Sequence, residues 1–136
     1  MVIQFRRGNT AMVSELKQLY DSVEWYAYTQ NPQNLYVAVQ NSLSVFQAWD
    51  KDKLVGQIRA VGDGISILYI QDILISPDYQ NQGIGTALIK RMLGAYPNVR
   101  QRVLLTEEAP DVRHFYEKCG FISADQGETV AFVMLQ

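Results

Sequence analysis

The chain has 136 residues, 48% of them hydrophobic and 19% charged, which fits one folded domain rather than a disordered segment. Its net charge of -2, from 12 basic and 14 acidic side chains, argues against a basic nucleic-acid binder. The one cysteine, Cys119, excludes an internal disulfide and a zinc site of CxxC type, and no stretch reads as a signal peptide or a membrane helix.

Val2 to Arg6 alternates apolar and polar residues and predicts a first strand. Met12, Leu16, Leu19 and Val23 recur at helical spacing and predict a helix over 12–23. Glu24 to Asn31 is irregular and aromatic, with Trp25, Tyr26 and Tyr28 close together. Pro32 suits the first turn of a second helix, capped by Asn31 and running to about Asn41. Strands are expected at 43–49 and 54–61, joined by a polar turn at 50–53. Gly62-Asp63-Gly64 is the next turn, with Asp63 a plain turn residue. Ile65 to Ile75 is so continuously apolar that a central strand buried on both faces is expected. A loop then leads to a helix from Gly85 or Thr86 to Tyr96. A short strand at 103–106, a helix over 110–118 closed by Gly120, and two final strands at 121–124 and 129–135 complete the chain. No repeat, low-complexity tract or linker interrupts it, so residues 1–136 are expected to form a single domain.

The strand ending at Ile75 runs into Gln80-Asn81-Gln82-Gly83-Ile84-Gly85, which opens a helix. Such an arrangement points amides and the positive end of the helix dipole at one spot, where an anion of pyrophosphate size fits. Glycine keeps that spot clear of side chains and permits positive φ. A Walker loop would need Gly-Lys-Ser/Thr, but Thr86 and Ala87 follow Gly85. A dinucleotide fingerprint would need a third small residue where Leu88 stands, and an acidic residue where 103–106 is apolar.

Gln80-x-x-Gly83-x-Gly85 resembles the acetyl-CoA loop of the Gcn5-related N-acetyltransferase (GNAT) family, and Phe115-Tyr116-Glu117-Lys118-Cys119-Gly120-Phe121 is similar to that family's aromatic-Tyr-Glu-x-x-Gly-Phe ending. The order of predicted elements resembles the family's over most of the chain. The resemblance implies pyrophosphate binding on Gln82, Gly83, Ile84, Gly85 and Thr86, with Gln80 at the loop's entry. It implies that the pantetheine arm of the donor lies along the backbone of Ile73, Leu74 and Ile75. It also implies that Tyr116 protonates the departing thiolate. One departure is Ala109, seven residues before Tyr116, where many relatives carry an asparagine that contacts pantetheine.

On the acceptor side, Tyr69-Ile70-Gln71-Asp72-Ile73 resembles the Leu-Glu-Asp stretch of the family's polyamine acetyltransferases. Gln71 replaces the glutamate assigned to proton removal and cannot take a proton. Asp72 remains the best carboxylate for the chemistry, although it could equally accept backbone N–H bonds or pair with an arginine such as Arg59. Deprotonation through water stays open. The loop between the first two helices walls the acceptor pocket in this family, so Trp25 and Tyr28, with Gln71 and Asp72, are candidates for binding an amine. His114 is expected to be exposed and Cys119 to be a buried small residue.

The resemblance thus implies an α/β (α+β) fold: one twisted, mixed, mostly antiparallel sheet of six to seven strands, helices on both faces and a splayed central strand pair. It implies direct acetyl transfer from acetyl-CoA to a primary amine of a small molecule or peptide, without a metal. The alternatives are a non-catalytic acyl-CoA-binding module and an interaction domain. A cytoplasmic location and a homodimer through the last strands are further expectations.

Overall fold

The computed structural model describes residues 2–136. They group into two compact units, one up to Leu105 and one from Thr106 to Gln136.

The first unit is a five-stranded sheet with helices on both faces. In chain order it contains β1 (Ile3–Arg7), α1 (Val13–Ser22), α2 (Tyr26–Thr29), α3 (Pro32–Gln40), β2 (Ser44–Asp50), β3 (Lys53–Gly62), β4 (Ile67–Ile75), α4 (Ile84–Ala95) and β5 (Gln101–Leu104). The strands lie in the order β1-β2-β3-β4-β5, antiparallel except for the parallel β4–β5 pair. That exception follows from α4, because a parallel return needs a crossover connection.

Local chemistry explains the helix ends. Pro32 starts α3 at a position that needs no amide, and the Asn31 side chain accepts from the Asn34 amide at 3.1 Å. At α1 the Glu15 carboxylate accepts from the Met12 amide at 2.9 Å. The inward face of α1 carries Leu16, Leu19 and Tyr20, all buried. They pack with Leu35 and Val39 of α3 against Val45, Trp49, Leu54 and Leu74 of the sheet. α4 covers the other face with Leu88, Ile89 and Met92, and its Arg91 guanidinium sits 4.2 Å from the ring centroid of Phe5.

Two register shifts shape the sheet. One lies between Ala48 and Trp49, the other between Arg59 and Ala60. At the second, Arg59 opposes Asp72 while Ala60 opposes Ile70, so Gln71 is the extra residue of a β-bulge. Asp72 and Leu74 therefore face the α1–α3 layer, whereas Leu68 and Ile70 face the α4 layer.

Three expectations need correction. The central strand begins at Ile67, not Ile65, and is fully buried only at alternate positions, because one of its edges and part of each face stay open. A short helix, α2, occupies part of the segment expected to be irregular. Most consequentially, the described residues form five strands rather than six or seven. Beyond Gly120, a 3₁₀ turn takes up Ala124–Gln126, and the backbone of 127–136 meets no ladder partner among the described residues.

The second unit contains α5 (Pro110–Lys118), opened by Ala109 without a side-chain cap. Arg113 donates to Glu108 at 2.5 and 2.9 Å and lies 3.7 Å from Asp125, all at the surface of the unit. Its last residues are apolar and open to solvent, Phe132 by 91% and Met134 by 97%. Among the described residues, no helix is long and apolar enough to cross a membrane.

Candidate functional site

The α1–α3 face of the sheet holds a run of polar side chains inside an apolar layer. Its centre is the Asp72 carboxylate, which is buried. Three donors converge on it: Tyr20 Oη at 2.9 Å, Tyr28 Oη at 2.6 Å and Arg59 Nε at 2.5 Å. Arg59 also donates to Ser42 at 3.3 Å and to Tyr28 Oη at 3.4 Å. Tyr20 Oη accepts from Gln57 Nε2 at 2.9 Å, and Gln57 Oε1 accepts from Gln47 Nε2 at 2.7 Å. Gln47 then reaches Asn9 Oδ1 at 2.8 Å. At the other end Gln71 Nε2 donates to Tyr28 Oη at 3.2 Å. The register places these groups on one face, since Arg59 opposes Asp72 and Gln47 opposes Gln57.

The network is internally satisfied, as buried polar groups must be. Burial works against the charge of Arg59, but the neighbouring Asp72 outweighs it and raises the guanidinium's pKa. Burial first, and then the charge of Asp72, push the Tyr20 and Tyr28 hydroxyls above the ordinary tyrosine value. Both are hydrogen-bond donors at neutral pH. The rings of Tyr20, Trp25 and Tyr28 stack edgewise or tilted, with centroids 5.0–6.4 Å apart. The mouth of the cluster is formed by Trp25, half-buried Tyr28 and exposed Gln71.

A second feature lies at the end of β4. β5 pairs with β4 only over Ile67–Ile70, so among the described residues no strand flanks 71–75 on that side. The Ser76 amide donates to Val55 C=O at 2.8 Å. By antiparallel alternation the backbone groups of Leu74 then turn to β3, and those of Ile73 and Ile75 turn to the open edge. The Gln80 side chain donates to Ile75 C=O at 3.0 Å, fastening the loop to the strand. Asn81 and Gly83 both have positive φ, +62° and +83°. The first backbone bond of α4 runs from Ala87 N–H to Gly83 C=O at 3.1 Å. The amides of Gly83, Ile84, Gly85 and Thr86 are therefore outside the helical ladder. A Cβ built on Gly83 would meet no heavy atom within 4 Å, so the space beside this first residue is open. Open space and unpaired amides at a helix start fit a pyrophosphate.

The model of the acetyltransferase (GNAT) domain family matches residues 31–123. The chain belongs to the GNAT family. It is 35% identical over 118 residues to an uncharacterized N-acetyltransferase, ycf52, of Pyropia yezoensis, covering 83% of this chain and 66% of that one. A ycf52-like N-acetyltransferase of Prochlorococcus marinus is 31% identical over 134 residues, covering 94% and 72%. Among solved structures, a GNAT family acetyltransferase from Streptococcus pneumoniae TIGR4 superposes with a TM-score of 0.88 at 32% identity, covering 99% of this chain and 98% of that one. The chain spans 63–66% of the length of the ycf52 proteins of Pyropia yezoensis, Porphyra purpurea and Gracilaria tenuistipitata.

Within this GNAT chain, Trp25, Tyr28, Gln71 and Asp72 are brought into one cluster. Asp72 is the residue whose expected role changes most. With two hydroxyls and a guanidinium bound to its carboxylate, it is the hub of a buried network rather than a free carboxylate facing a substrate. Leu74 departs from the expectation too, because its amide and carbonyl turn to β3 and its side chain is core. Tyr116, in the second unit, is half-buried, with its ring edge-on to Phe115 and Phe121 at 5.1 and 6.0 Å. Burial raises its hydroxyl above the ordinary value. His114 is exposed and Cys119 half-buried, while Asp63 accepts from three amides of its own turn. Tyr20, Gln47 and Gln57 were not anticipated. Their one signal was a polar residue at an inward position of an otherwise apolar face. Among the described residues, no group of three or more His, Cys, Asp or Glu could hold a metal ion.

Proposed function

We propose that this GNAT protein transfers an acetyl group from acetyl-CoA directly to a primary amine. The observation that carries the reading is the open cradle at Gly83, set beside the unpaired end of β4. Amides from Gln82 to Thr86 hold the pyrophosphate, and Gln80 fixes the loop. The backbone of Ile73 and Ile75 offers the pantetheine arm a strand edge. Bound acetyl-CoA supplies the thioester acyl group. Trp25, Tyr28 and Gln71 position the amine at the bulge, with Asp72 holding Tyr28 from behind. Because Gln71 cannot accept a proton and the Asp72 carboxylate is held by three donors inside the sheet, the amine's proton leaves to water. Tyr116 Oη gives its proton to the departing sulfur. The test is thiol release from acetyl-CoA across an amine panel. Release with at least one amine is expected; CoA binding without release under any amine would support a non-catalytic module instead.

Replacing Tyr116 by Phe is expected to lower kcat about 10²-fold with little change in KM. A raised pKa keeps the donor protonated to higher pH, so the alkaline fall in kcat should lie above about 10 and vanish in the variant. A pH profile of kcat for both proteins checks this. The proposal includes a homodimer, since 129–135 presents exposed Val130, Phe132, Val133, Met134 and Leu135 to a partner strand. Equilibrium sedimentation reads it, and a monomer at all concentrations argues against it.

A further inference from the structure

We infer that Arg59 sets the charge of the acceptor site. It cancels Asp72, so the site takes amines without drawing on a second cationic group. The inference rests on the transferase reading and names its substrate class. Asp72 and Arg59 are both buried, in contact at 2.5 Å, and together carry no net charge. The other groups in contact with them, Tyr20, Tyr28 and Ser42, are neutral hydroxyls. Gln57 and Gln71, one bond further out, are neutral amides. The nearby acids do not replace the cancelled charge. Asp21 is held by Lys17 at 2.7 Å and Glu24 is exposed to solvent. A carboxylate at this position would otherwise attract a polycation, since within roughly 8 Å an unscreened charge is strongly felt. Here the mouth offers an amine only rings, a hydroxyl and an amide, so a second ammonium gains nothing from binding.

The test compares hexylamine with 1,6-diaminohexane, reading kcat/KM for acetylation and, separately, affinity by calorimetry with CoA present. For the natural sequence the diamine-to-monoamine ratio should be close to unity once the diamine's two ends are counted. Arg59→Gln frees the charge of Asp72 and should raise the ratio about tenfold. Asp72→Asn leaves Arg59 uncancelled and should lower it about tenfold. The double variant Arg59→Gln/Asp72→Asn should return to the natural ratio. A strong diamine preference in the natural protein overturns the inference, as does a ratio unmoved in variants whose circular dichroism is native. If Arg59→Gln fails to fold, Asp72→Asn and the double variant decide the matter. Amine binding without turnover would defeat the transferase reading alone, and the affinity ratios would still test the role of Arg59. Absence of amine binding overturns both.

Discussion

Arg59→Met is expected to reduce folding stability by about 3–5 kcal/mol, the largest loss from any single polar substitution in the sheet. The reason lies in what stays behind. Asp72 would remain in the α1–α3 layer with two hydroxyl donors but no countercharge. An uncompensated buried carboxylate costs far more than a lost surface pair. Adding Asp72→Asn to the same protein should recover most of the loss, because the double variant buries no charge. Urea unfolding of the natural protein and the two variants checks this. A loss below about 1 kcal/mol would place the pair among the surface-like ion pairs and undo the account.

The second large effect is on the donor. Gly83→Asp is expected to weaken CoA binding about a hundredfold, because a carboxylate would stand before the first-turn amides of α4 and repel the pyrophosphate. The fold should tolerate the change. A Cβ there meets nothing within 4 Å, and Asp is among the side chains that adopt positive φ most readily. Gly83→Asn has the same shape without the charge and should lose much less. Calorimetric titration with CoA separates the two variants. Equal losses would assign the effect to bulk, and unchanged binding in both would move the donor site elsewhere.

Much of the first unit was legible because its signals are local. Asn31-Pro32 marks a helix start by capping chemistry, and Gly83 marks a left-handed residue before a helix. The apolar letters of α1 and α4 repeat with the helical period. What lay beyond reach was set by partners distant in sequence. Gln47, Gln57 and Tyr20 become a network only when three elements align, and their alignment depends on two register shifts that no local pattern announces. Asp72 was recognised as important, but whether it would meet a substrate or Arg59 turned on the pairing of β3 with β4. The strands expected at 121–124 and 129–135 have strand-like letters. Letters alone do not supply a neighbouring ladder.

The extra residue at Gln71 has a consequence for how this strand can vary. A strand alternates its side chains with a period of two, so its inward positions keep one parity from end to end. In β4 the parity changes at Gln71: Tyr69 and Asp72, three apart, lie on the same face, and burial together with the charge of Asp72 raises the Tyr69 hydroxyl's pKa. The bulge thus works as a phase shift, joining a half-strand written for one layer to a half-strand written for the other. Substitutions on either side are independent of it, but the spacing is not. Loss of Gln71 itself would remove the bulge yet leave Asp72 opposite Arg59 and Ile70 opposite Ala60, each on the face it already occupies.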